Sequence, residues 1–368
     1  MADQRTPLYD VHVEEGAKLV DFAGWDMPVQ YESIIAEHEA VRRRAGVFDV
    51  SHMGRFRITG PGALKSIQHA LSNDAESLGA GECHYSLLLT DDAGIADDLF
   101  VYSPRGTEDE LLVVVNAANA SKDLALLKAR SIDAEWDDET PRTAMLALQG
   151  PEAETMLQPL TELDLPAIRL HRFAVGPLAG VEAMVSRTGY TGEDGFEIIT
   201  AADDAVTLWK ALREAGVAPC GLGARDVLRL EAAYPLWGHE IDENTRPADA
   251  GLSFACRKDG DSYVGGRAHR EYLAAGPTKA VVGLVMNSRR MARQGAEVRI
   301  SGKGMGKVTS GTFSPIRGAG IAMAHVDNPE RKKLRERRAE LVDTDCVCVQ
   351  GKTEVPATFV PLPFYKRS

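Results

Sequence analysis

YSLLLTDDAGIADDLFVYSPRGTEDELLVVVNA, residues 85–117, sets the fold class. It contains three apolar runs: YSLLL (Tyr85 to Leu89), IADDLFVY (Ile95 to Tyr102) and ELLVVVNA (Glu110 to Ala117). Leucine, valine and aromatic residues dominate them, as expected of strands. The spacers TDDAG and SPRGTED are turn chemistry, rich in Asp, Gly, Ser and Pro. A parallel crossover needs a dozen or more residues, and these spacers are far shorter. The stretch therefore predicts an antiparallel meander, not a βαβ unit.

Upstream, Tyr31 to Gly46 carries Ile34, Ile35, His38, Val41 and Arg42 at helical spacing, and Gly46 is expected to stop that helix. VFDVSHMGRFRITG then alternates as a strand. Downstream, NASKDLALLKAR predicts a helix with Ser121 as N-cap. A second cycle follows. TAMLALQGP predicts a strand and PEAETMLQPL a helix. FAVGPLAGVEAMVSRTGYTGEDGFEIIT predicts two strands and a Gly-rich turn, and DAVTLWKALREAG a helix closed by Gly216. Strands grouped with helices beside them imply α+β architecture. From Lys279 onward, short apolar runs recur between turn residues, the pattern of a small β-barrel or sandwich. The boundary falls at Gly276-Pro277, giving regions 1–276 and 277–368.

With 54 Asp and Glu against 42 Lys and Arg, the net charge is -12, which disfavours a nucleic-acid binder. The local exception is RKKLRERR, Arg331 to Arg338, expected as a solvated surface or as a dock for an acidic partner or polyglutamate tail. No apolar stretch is long enough to span a membrane, and Met1 to Asp10 lacks a leader pattern. A cytoplasmic protein is expected, or a mitochondrial matrix protein if a leader was removed. Five cysteines without a C-x-x-C pair, and histidines without ligand spacing, predict metal-independent chemistry.

GKGMGKV, Gly302 to Val308, lacks the glycine and hydroxyl of a phosphate loop and predicts a hairpin turn. No G-x-S-x-G elbow exists, and Cys83 has no activating context. Asp97 and Asp98 interrupt an apolar strand. Neighbours on a strand face opposite ways, so one carboxylate points to the packed or cavity side. Alternation alone does not choose between them. In GYTGEDGFE, Glu193 and Asp194 are expected in an exposed turn. Glu197 enters an apolar strand and is expected to face a pocket, where a carboxylate suits a ligand edge with two adjacent N–H donors.

Nine collinear segments carry a family resemblance: RTPLYDVHVEEGAKLVDFAGWDMPVQY, FDVSHMG, GIADDL, VVNAAN, RTGYTGEDGFE, GLGARDVLRLEA, GHEID, GKVTSGTFSP and FVPLPFY. Over essentially its whole length the chain resembles the T protein of the glycine cleavage system, the tetrahydrofolate-dependent aminomethyltransferases. The resemblance implies a three-lobed cloverleaf: two interleaved α+β lobes plus a C-terminal β-barrel around a central folate cavity. It implies Asp98 as the catalytic member of the pair, and Glu197, Arg225 and Tyr365 as folate contacts. Met53, Tyr85, Asn116 and Tyr190 are implied as further lining of that cavity, with Trp237 beside them. The implied partners are tetrahydrofolate as cosubstrate and the lipoylated H protein, with no metal, nucleic acid or membrane.

Two positions depart from the family pattern. Trp237 stands where many members have Tyr, exchanging a hydroxyl for an indole N–H. Ala93 stands where a Gly is usual and is expected only to tighten the turn before Asp98. The rival functions are a folate-dependent demethylase and a non-enzymatic folate-binding factor.

Overall fold

The computed structural model describes residues 4–367, so the first three residues of the leader-free N-terminus expected above lie outside the described residues. The chain forms two compact units. One comprises Met1–Ile67, Ala75–Tyr85 and Leu99–Leu228; the other comprises Gln68–Asp74, Ser86–Asp98 and Arg229–Ser368. The chain passes from one unit to the other within the helix Ala63–Ala70, just before the 3-10 turn Ala75–Ser77, within the strands Glu82–Leu89 and Ile95–Ser103, and within the helix Leu222–Glu231.

The first unit contains a six-stranded sheet in the order Phe173–Leu178, Val181–Ser186, Gly195–Ala201, Thr143–Gln149, Gly46–Asp49, Ala218–Pro219. Its pairs are antiparallel except the last. Period-two alternation builds the core: Leu146, Leu148, Phe196 and Ile198 face one way, onto Leu208, Trp209 and Leu212 of the helix Ala205–Glu214. Met145, Ala147 and Ile199 face the other way, toward Tyr102, Cys83 and Leu228.

The meander is present. Glu82–Leu89, Ile95–Ser103 and Glu110–Val115 are neighbours in a five-stranded sheet completed by Gly54–Thr59 and Glu135–Asp138. The second and third pair antiparallel, with Leu99 opposite Val115. VFDVSHMGRFRITG is two strands instead of one, Gly46–Asp49 and Gly54–Thr59, which enter different sheets on either side of a turn. FAVGPLAGVEAMVSRTGYTGEDGFEIIT holds three strands, not two. A tight turn at Ala179 and Gly180, both at positive φ, splits its first apolar run without a polar spacer.

Two helix signals also differ from expectation. The first helix, Ile34–Arg43, is capped by Ser33, whose hydroxyl accepts from Ala36 N at 3.1 Å. It ends before Gly46, which instead opens a strand where a Cβ would lie 2.5 Å from Cys220 Sγ. Ser121 lies inside the helix Ala120–Ala129, because a 3-10 turn, Ala117–Asn119, precedes it and moves the cap position to Asn119.

In the second unit, six strands close into a barrel: Lys279–Met286, Ala319–Asp327, Lys303–Ser314, Glu297–Ile300, Asp345–Gln350 and Thr353–Val360. Ala280, Val282, Leu284 and Met286 point inward with Ala322, Ala324 and Val326. The alternate residues Val281, Ile321 and Met323 form a second cluster covered by Leu230 and Phe364. GKGMGKV lies on the second arm of a hairpin whose turn, Ser301-Gly302, has positive φ at both residues. The fold is α+β with a closed C-terminal barrel.

Candidate functional site

The predicted site residues divide between the units. Met53, Tyr85, Asn116, Tyr190, Glu197 and Arg225 belong to the first; Asp98, Trp237 and Tyr365 belong to the second.

In the first unit, Glu197 sits opposite Ser186 and Ala147 on the central strand, with its flanking residues Phe196 and Ile198 buried in the core on the reverse face. Its Oε2 accepts from Thr188 Oγ1 at 2.6 Å, and Thr188 Oγ1 lies 2.7 Å from Ser186 Oγ. Among the described residues its Oε1 receives no protein hydrogen bond. Burial, and then the charge of Glu197, push the thiol of Cys83 and the phenol of Tyr102 upward, so both stay protonated near it.

Arg225, on the helix Leu222–Glu231, stacks its guanidinium 4.8 Å from the centre of the Tyr190 ring. Its Nη1 is buried and finds no hydrogen-bond partner among the described residues. Burial pulls this guanidinium down, opposed by the charge of Glu197 and by Tyr190. A buried unpartnered donor beside an aromatic face and an available carboxylate oxygen fits a polar, planar ligand. Tyr190 itself sits in the loop 187–194, where Arg187 pairs with Asp194 and Glu154. Glu193 is not in an exposed turn: its side chain is 4% exposed and ion-paired with Arg42 at 2.7 Å.

Met53 is half-buried against the second core face of this unit. Its carbonyl is held by Arg55, which also donates to the carbonyls of Ser51, Thr140 and Thr143. The neighbouring His52 is held neutral, at about 4, first by burial and then by Arg225 and Arg55, against the opposing pull of Asp49. Tyr85 meets Phe100 edge-on at 5.9 Å, and Asn116 heads the 3-10 turn that follows its strand.

In the second unit, Asp97 is fully buried and Asp98, one step along the strand, is partly exposed. The start of that strand is clamped by the segment 237–245. Ile95 N donates to the carbonyls of Asp242 and Thr245, and Trp237 Nε1 donates to Ile95 O at 3.2 Å. The indole N–H thus has a structural acceptor three residues before Asp98. Gly94 is required there, since a Cβ would lie 1.9 Å from Glu243 O. Ala93 takes a φ of 64°, a left-handed backbone that costs a residue with a Cβ about 1–2 kcal/mol. Tyr365 N donates to Glu231 O at 2.8 Å, and Glu231 Oε1 accepts from Ser314 Oγ.

Sequence reasoning missed the buried polar groups that give the quoted segments their chemistry. Asp49 of FDVSHMG accepts from Thr6 Oγ1 at 2.6 Å and from Ser51 N at 2.9 Å, and meets His12 Nε2 at 2.9 Å. Burial would raise this carboxyl, but the His12, Ser51 and Thr6 hydrogen bonds prevail and hold it at about 2. Glu240 of GHEID forms a buried pair with Arg229 at 2.9 Å and accepts from Thr309 Oγ1 of GKVTSGTFSP at 2.5 Å. Arg229 Nη2 reaches Ser310 Oγ at 2.8 Å. The second part of the basic run, from Leu334, opens the helix Leu334–Leu341, and much of the run's charge is engaged locally: Lys332 by Glu330 and Glu340, Arg337 by Asp327 O, and Arg338 by Val281 O.

Residues 8–260 match the family model described as the GCVT N-terminal domain, and residues 279–366 match the glycine cleavage T-protein C-terminal barrel domain. The chain belongs to the glycine cleavage T-protein family. An aminomethyltransferase of Rubrobacter xylanophilus is 48% identical over 99% of this chain and 95% of its own length. One from Thermus thermophilus is 45% identical over 98% of this chain and 99% of its own. The crystal structure of the glycine cleavage system aminomethyltransferase T from Bartonella henselae superposes with a TM-score of 0.89 at 34% identity, covering 99% of this chain and 98% of that T protein. Among the described residues no helix is long and apolar enough to cross a membrane, and no cluster of three or more His, Cys, Asp or Glu side chains could hold a metal.

Proposed function

We propose that this chain is the tetrahydrofolate-dependent aminomethyltransferase of a glycine cleavage system, acting in the cytoplasm without a metal. Its full-length relatives are aminomethyltransferases of bacteria. The observation that carries the ligand assignment is the group formed by Glu197 with an available Oε1 and the adjoining Arg225–Tyr190 stack. Glu197 receives the paired N–H donors of the pterin's aminopyrimidine edge, while Tyr190 and Arg225 supply a flat face and a donor. Met53, Tyr85 and Asn116 line the same ligand; in the second unit, Trp237 and Tyr365 are the residues assigned to folate by the family pattern. Folate chemistry is assigned to region 1–276, with 277–368 as the barrel domain.

The donor is the aminomethyl group on the lipoyl sulfur of the H protein. Its methylene forms two bonds to folate nitrogens, while its bonds to sulfur and to the amine break. The two folate N–H protons end on the released thiol and on ammonia, so the products are 5,10-methylenetetrahydrofolate, dihydrolipoyl carrier and ammonium. The carbon is already electrophilic and the amine is a good leaving group. The protein therefore has to align the partners and stabilise developing positive charge. Asp98 supplies the carboxylate that does so and orients or accepts the proton of the attacking nitrogen.

Titration of the purified protein with tetrahydrofolate tests the ligand assignment. Glu197→Ala is expected to weaken binding about tenfold or more, because it removes a charge-assisted pair from a buried ligand edge. An unchanged Kd rejects Glu197 as the pterin contact.

A further inference from the structure

We propose that Arg42 is a positioning residue for tetrahydrofolate: it ties the Tyr190 loop to the helix carrying Arg225 and so holds their stack in place before the ligand arrives. The proposal rests on the reading above, in which that stack faces the folate.

Arg42 lies in the last turn of the helix Ile34–Arg43, and its side chain is 6% exposed. Its Nη1 donates to Glu193 Oε1 at 2.7 Å and to Thr191 O at 2.8 Å. Its Nη2 donates to Leu228 O at 3.3 Å. Thr191 follows Tyr190 directly, and Leu228 lies one helical turn beyond Arg225. One guanidinium thus grips both elements whose side chains meet in the stack.

The loop needs such a grip. Gly189, Gly192 and Gly195 fall within seven residues, with φ of 81° at Gly192 and 159° at Gly195. Glycine loses the most backbone freedom on ordering, so this loop is intrinsically loose. Gln149 fastens its base, donating to Thr188 O and accepting from Thr191 Oγ1. Among the described residues the Gln149 side chain bonds only the loop and Leu148 O of its own strand, whereas that of Arg42 also reaches the helix. A buried ion pair adds little net stability over a well-packed apolar contact. What the planar guanidinium adds is direction, because its donors diverge at fixed angles. A lysine has the charge but not the fork.

Arg42→Lys and Glu193→Gln test the idea, with Tyr190→Ala as the control for the stack. Arg42→Lys is expected to raise the Kd and KM for tetrahydrofolate about tenfold while kcat at saturating folate changes less than about threefold. In the folate-free protein it should also speed amide exchange in residues 187–194. Glu193→Gln keeps an acceptor and should show the same pattern at about threefold, and it carries the test if Arg42→Lys does not fold. A merely structural role would lower thermal stability and kcat with KM unmoved, which overturns the proposal. So does an unchanged Kd in both variants when Tyr190→Ala weakens binding. If Tyr190→Ala leaves Kd unchanged, the folate-facing reading of the stack fails first, and the proposal falls with it.

Discussion

Asp97 and Asp98 differ by one step along a strand, and that step separates a fully buried carboxylate from a partly exposed one. Alternation told that the two side chains diverge; only the family resemblance chose Asp98. Asp98→Asn keeps the size and loses the charge, so turnover should fall at least about tenfold in single-turnover assays while folate affinity holds. Turnover near that of the parent would remove Asp98 from the chemistry.

Two buried groups set a stepped acid response. His52 is depressed to about 4 from its usual value near 6.5, so the unfolded chain binds the extra proton first, and stability falls as pH drops from about 6.5 through 4. Asp49 is depressed to about 2; its contribution, on the order of 2 kcal/mol, is intact above pH 4 and lost as pH falls toward 2. Denaturant titrations across this range should show His52→Gln flattening the upper step and Asp49→Asn the lower. A parent curve with neither step would contradict both assignments.

At the scale of elements, the segments that were hardest to read are those whose charges turn inward. Glu193, Glu240 and Arg42 look like surface residues in a sequence, because period and composition report polarity but not partners. Their partners lie far along the chain: Arg42 meets Glu193, and Glu240 meets Thr309. Strands fared better, since alternating Val, Leu and Ile in Lys279–Met286 mark the inside and outside of a barrel wall directly. The hairpin at Ala179-Gly180 escaped because its turn residues are small and apolar and sit within one hydrophobic run. The helix caps show the same limit: Ser33 bonds its helix, whereas Ser121 was displaced by a 3-10 turn that no local signal announced. Glu240→Ala leaves Arg229 buried without its carboxylate and should cost about 3–5 kcal/mol, seen as a lowered thermal midpoint of the second unit. A loss under about 1 kcal/mol would mean that Ser310 and the carbonyl of Tyr234 satisfy Arg229 without the carboxylate.

For the whole molecule, the α+β class and the barrel were legible from strand spacing, and the excess of 12 negative charges argued against nucleic acid. Activity was not legible from composition or period. It came from nine segments in one order, among whose residues are the buried Asp49 and Glu240. The two units each hold part of the proposed machinery, so the full chain is the object to assay. The most direct measurement mixes it with tetrahydrofolate and aminomethylated H protein and follows ammonia and 5,10-methylenetetrahydrofolate together. Formation of both in equal amounts is expected; folate binding with neither product would contradict the aminomethyltransferase assignment.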